Sequence, residues 1–86
     1  QNYPNPFNGV TTIAYTIGER CEVELAIFDP AGRLVRGIAQ GAREPGRHTT
    51  TWNGKDNAGR AVSSGVYFCR IKAGKFRETK KIIYMR

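Results

Sequence analysis

One histidine, one methionine and two cysteines are all that this 86-residue chain holds of the side chains that most often build metal and redox centres. With His48 alone, no histidine pair can close a metal site. A proton-shuttling His48 would need a nucleophile or carboxylate beside it in a pocket, and no motif signals one. No apolar run approaches the ~20 residues of a membrane-spanning helix, and no segment carries the amphipathic stripe of a surface helix. Gln1-Asn2-Tyr3-Pro4 has neither the basic region nor the apolar stretch of a signal peptide. The chain therefore reads as a module from a longer precursor, expected as its last piece. A domain of this size buries only roughly 60 to 65% of its unfolded surface, which leaves no room for a large internal active site. No enzyme activity, metal or cofactor is expected.

Acidic residues are also scarce, seven against fourteen Lys and Arg, for a net charge of +7. The surplus is local. Up to Cys69 basic and acidic residues nearly balance, whereas Arg70, Lys72, Lys75, Arg77, Lys80, Lys81 and Arg86 are opposed by Glu78 alone. Such an end is either a solvated strand edge that resists edge-to-edge pairing or a patch that attracts an acidic partner surface or anionic lipopolysaccharide. Nucleic acid is not expected as a partner, because the aromatic residues fall at strand-core positions and no nucleic-acid-binding signature is present.

What the chain does have is alternation. Ile13, Tyr15 and Ile17 share one face of Thr11–Ile17, and Cys21, Val23, Leu25 and Ile27 share one face of the next segment, with Glu22 and Glu24 opposite. Asp29-Pro30-Ala31-Gly32 is a turn leading into a strand from Arg33 to Ala39. Gln40 to Gly46 reads as a looser connection. His48, Thr50 and Trp52 alternate in the strand that follows, and a short strand is expected around Ala61-Val62. Val66 to Ile71, the Lys72-Ala73-Gly74-Lys75 hairpin and Phe76 to Met85 complete the pattern. Short strands at this spacing with Gly and Pro turns indicate an all-β antiparallel sandwich of about seven strands.

Parity assigns faces near the end of the chain. Arg70 belongs in water, so Val66 and Phe68 share its outer side while Tyr67, Cys69 and Ile71 point inward. Trp52 reads as a core residue over one end of the sandwich rather than as a sugar-stacking platform. The loop Asn53–Gly59 has a faint calcium-loop composition, but it lacks a bidentate Glu and places Lys55 where a cation would sit. Two linked turns account for it better.

Several elements fall in a fixed order: Tyr3-Pro4-Asn5-Pro6-Phe7-Asn8, Phe28-Asp29 with Gly32-Arg33-Leu34-Val35-Arg36, Gly46 and His48 before Trp52, Ser64-Gly65-Val66-Tyr67-Phe68, and Thr79-Lys80-Lys81-Ile82-Ile83. Together they resemble the C-terminal sorting domain of type IX (Por) secretion cargo, which is related to the immunoglobulin-like domain of the flagellar hook-capping protein. Gly9, where that family often has another Pro, and Cys69, where it usually has a non-Cys aromatic, depart from the pattern.

The resemblance implies an immunoglobulin-like sandwich over residues 1–86 as a single non-catalytic domain. Residues 1–10 would be a segment in which Pro4, Asn5, Pro6 and Phe7 anchor the linker from an N-terminal cargo domain. It also implies passage through the periplasm, recognition by the outer-membrane secretion machinery, removal by a sortase-like peptidase, and a secreted or cell-surface destination. Gly65, Tyr67, Phe68, Lys80 and Lys81 are the residues expected to be recognised. The alternative is an assembly or accessory module, for spacing or carbohydrate binding, on a secreted or flagellar protein. In the implied fold Cys21 and Cys69 lie on strands of opposite sheets, either bridged by a disulfide or left as two inert buried thiols.

Overall fold

The computed structural model describes residues 9–85. Its six strands are β1 (Thr11–Ile17), β2 (Cys21–Phe28), β3 (Leu34–Arg43), β4 (Gly46–Trp52), β5 (Gly65–Ala73) and β6 (Phe76–Tyr84). They form two antiparallel sheets, β1-β4 and β3-β2-β5-β6. Side chains at every second position of β1, β2 and β5 are buried between the sheets, where Ile13, Tyr15 and Ile17 meet Val23, Leu25, Ile27, Cys69 and Ile71. This is the packing that period-two strands impose when one face of each sheet is covered. Trp52 closes one end, with its ring centroid 5.4 Å from Tyr67 and 5.8 Å from Tyr84, and its indole N–H donates to the Lys55 carbonyl at 3.0 Å. Gly54 lies so close under Tyr84 that a Cβ there would sit 2.6 Å from the ring.

Two expectations change. The predicted seventh strand around Ala61-Val62 is no strand; Ala61 makes one isolated bridge to Lys55. The stretch from Gln40 to Gly46 is no loose connection either, because β3 runs on to Arg43 and pairs with β2 as far as Cys21. Register shifts between Leu25 and Ala26 and between Ile27 and Phe28 break the two-residue alternation of β3. A bulged strand no longer shows one face at every second position, and so the sequence pattern hides it.

One turn is used twice. In Asp29-Pro30-Ala31-Gly32-Arg33 the Asp29 Oδ1 accepts the amides of Ala31 (3.0 Å) and Arg33 (2.9 Å), while Gly32 N–H donates to the Asp29 carbonyl at 2.9 Å. Asp56-Asn57-Ala58-Gly59-Arg60 repeats each bond: Asp56 Oδ1 accepts Ala58 (3.0 Å) and Arg60 (2.9 Å), and Gly59 donates to the Asp56 carbonyl at 2.9 Å. Gly32 and Gly59 sit at φ 85° and 82°, a left-handed backbone that glycine adopts without a steric penalty. The Asp29 carboxyl is held below its ordinary 3.8, chiefly by the Arg33 amide, and Asp56 likewise by the Arg60 amide. The second turn does more than reverse the chain. Asn57 N–H donates to the Val35 carbonyl at 3.0 Å and its Oδ1 accepts Gly37 N–H at 3.0 Å, which covers that stretch of the free β3 edge.

Candidate protein-docking face

The core covers only the inner face of the four-stranded sheet. On its outer face the registers set side chains in rows across the strands. Leu34, Phe28, Phe68 and Lys81 form one row, since Phe28 pairs with both Leu34 and Phe68, and Phe68 pairs with Lys81. Beside it run Gly37, Ala26, Arg70 and Thr79, and then Gln40, Glu24, Lys72 and Arg77. Phe28, Val66, Phe68 and Ile83 are half-buried there and Leu34 is 56% exposed. This is more apolar surface than a solvated sheet face needs, gathered in one place.

The middle row is low because Gly37 and Ala26 carry little side chain. It floors a depression of about 520 Å³, with Phe28 and Leu34 on one side and Lys72 on the other. The Arg70 guanidinium lies 4.2 Å from the centre of the Phe28 ring. Arg70 is exposed at that position, and a guanidinium over an aromatic ring can still receive a carboxylate on its N–H groups. Lys72 is shared with Glu24 at 3.6 Å, an exposed pair that contributes little. Arg70, Arg77 and Lys81 are exposed, with no ion pair recorded for them among the described residues.

The residues expected to be recognised therefore divide. Phe68 and Lys81 are cross-strand partners on the outer face. Tyr67 is buried, as parity requires, and its hydroxyl donates to the Ser63 carbonyl at 2.7 Å, four residues upstream. Such a bond fixes the corner by which the chain enters β5. Burial raises the Tyr67 phenol above its ordinary value, with Asp29 and Tyr84 adding smaller contributions in the same direction. Lys80 is half-buried. It turns inward, and its Nζ donates to the Ala14 carbonyl at 2.8 Å, tying β6 to β1 of the other sheet. Gly65 opens β5 at φ 153°. The anchoring residues Pro4, Asn5, Pro6 and Phe7 lie outside the described residues.

The placement of the two cysteines on opposite sheets is overturned, and of the two alternatives left open for them the bridge falls. β2 and β5 are neighbours in one sheet, so Cys21 and Cys69 do not face each other across the sandwich. Cys69 stands opposite Ile27, six residues along β2 from Cys21, or about 20 Å at strand rise, whereas a disulfide needs its Cα atoms within about 7 Å. Both thiols are free. Burial pushes the Cys69 thiol up to about 12, which leaves it inert.

Phe28, Leu34 and Arg70 were not singled out by sequence as members of the face. Their signal was present in the Phe28-Asp29 and Leu34-Val35 block and in the outward parity of Arg70. Pairing across β3, β2 and β5 brings them together, and no spacing along the chain encodes that pairing. The family model described as the FlgD Ig-like domain matches residues 7–75. A comparison with curated proteins gives no match.

Proposed function

The chain belongs to the FlgD Ig-like domain family, and from that premise we propose that it is a non-catalytic module that works by protein contact, holding its parent chain in an assembly. One observation carries this reading: the two-sheet core leaves the opposite face of its larger sheet with aromatic and basic side chains in adjoining rows. A sheet fixed by a buried core presents such rows without further ordering, which lowers the entropic cost of association. Deleting residues 9–85 from the parent protein should leave its other domains folded and release it from its complex, as read by size-exclusion chromatography of native extracts. Retention in the complex would reject the module.

The finer reading makes this contact an export address. It is supported by the ordered motifs from Tyr3-Pro4-Asn5-Pro6-Phe7-Asn8 to Thr79-Lys80-Lys81 that resemble type IX sorting domains. The partners would be the outer-membrane translocon and a sortase-like peptidase, and the destination the cell surface. Residues 1–86 fused behind a periplasmic reporter should then carry it to the surface of a type IX-competent bacterium. Failure in every competent host removes the address and leaves the assembly module.

A further inference from the structure

We infer that the outer face of the β3-β2-β5-β6 sheet is a docking site for an extended acidic protein segment, its carboxylates on Arg70 and Lys81 and an apolar side chain on the Phe28–Leu34 ridge. The inference rests on the protein-contact reading above and names its surface and partner chemistry.

Charge selects the class of partner. Arg70, Lys72, Arg77 and Lys81 occupy the outer positions of β5 and β6, and of the acidic side chains on the same rows Glu24 is already shared with Lys72. A second copy docking through the same face would set these cations against themselves, which disfavours self-association. Size points the same way. Four strands at about 4.8 Å spacing and a few residues of length present on the order of 400 Å², about half of what each partner contributes to a standard interface between folded proteins. A single segment of chain fits that area.

The mode of binding follows from the face. Asn57 covers β3 at Val35 and Gly37, and the Lys80 ammonium occupies the Ala14 carbonyl between the sheets. These contacts occupy parts of the β3 edge and of β1, and the ligand lies on the face, where the apolar and basic side chains are gathered. The depression over Ala26 and Gly37 receives an aliphatic side chain against Phe28 and Leu34, and the guanidinium stacked on Phe28 meets the neighbouring carboxylate from the side.

A synthetic acidic peptide with interspersed leucines, and its counterpart with lysine for each acidic residue, serve as probes against the isotopically labelled chain 1–86. The acidic peptide should bind with amide shifts concentrated at Ala26, Phe28, Gly37 and Arg70, weakening as salt shortens electrostatic reach. Arg70→Gln and Leu34→Ser should each lower affinity about tenfold or more with the melting temperature within a few degrees of wild type, since both side chains are exposed and lose only the contact with Phe28. Equal binding of the lysine peptide, or wild-type affinity in both variants, would overturn the site. A stronger response of the same amides to vesicles of anionic lipid would overturn the protein partner. Shifts gathered at another face would discard this surface while the assembly reading survives, because that reading is decided separately by release of the truncated parent from its complex.

Discussion

The two faces of the β5–β6 hairpin carry nearly the same residue types to opposite ends. Tyr67 and Phe68 are neighbours in sequence, as are Lys80 and Lys81. Yet Tyr67 and Lys80 turn inward, where one donates to the Ser63 carbonyl just ahead of β5 and the other to the Ala14 carbonyl of β1, while Phe68 and Lys81 pair with each other on the outside. An aromatic and a lysine are structural on one face and available for contact on the other. One residue of register separates the two roles, so a motif read as a string of letters mixes fold-holding and partner-facing positions.

The largest effect expected from breaking this contrast is at Tyr67. Replacing it by Ala removes a buried ring from the Trp52 cluster and should cost about 3 to 5 kcal/mol, enough to unfold much of so small a domain. Phe68→Ala, on the half-buried outer side, should cost clearly less in the same urea titration. Equal losses would mean that the outer face is covered by something in the free protein. Lys80 comes next. Lys80→Met keeps the aliphatic stem and removes the ammonium from the Ala14 carbonyl, so it should lower stability by about 1 to 2 kcal/mol and speed amide exchange in β1. An unchanged unfolding midpoint would show that the inter-sheet bond contributes nothing.

Most of the architecture was legible because period two is a strong signal where a strand is regular. β1, β2, β5 and β6 were placed almost to the residue, as was the inward parity of Tyr67, Cys69 and Ile71. The failures have particular causes. Bulges against β2 disguised the length of β3. The cysteine expectation came from strand order, which pairing partners across the chain decide and local pattern does not. For Lys80 and Lys81 alternation guaranteed that one must face inward, but which one depends on the Cys69 to Lys80 register. The docking face was half visible for the same reason: Phe68 and Lys81 were named in advance, whereas Leu34, Phe28 and Arg70 join them only through three strand pairings.

A smaller effect sets the twin turns apart from both faces. Asp29 and Asp56 titrate below 3.8 because their carboxylates accept backbone N–H bonds. A carboxyl depressed by folding contributes stability that is present above its ordinary value and lost as pH falls through the lowered one. The melting temperature should hold from neutrality to about pH 4 and decline below 3.8, with a shallower decline in Asp29→Asn combined with Asp56→Asn. An acid limb identical in that variant would assign the loss to other carboxylates.

The smallest effect is also the sharpest test of the contrast. Lys81 is exposed and pairs across the strand with Phe68, so Lys81→Gln removes a charge from the outer face without touching the bond that Lys80 makes inside. Stability should stay within about 0.5 kcal/mol of wild type, less than the loss expected for Lys80→Met one position away. Binding of the acidic peptide should nonetheless fall severalfold, since the lost cation adjoins the Phe28 and Phe68 row and its attraction acts over a few ångströms at low salt. A variant that loses stability and keeps its affinity would reverse the assignment, making Lys81 the structural lysine and withdrawing the outer face of β6 from the docking surface.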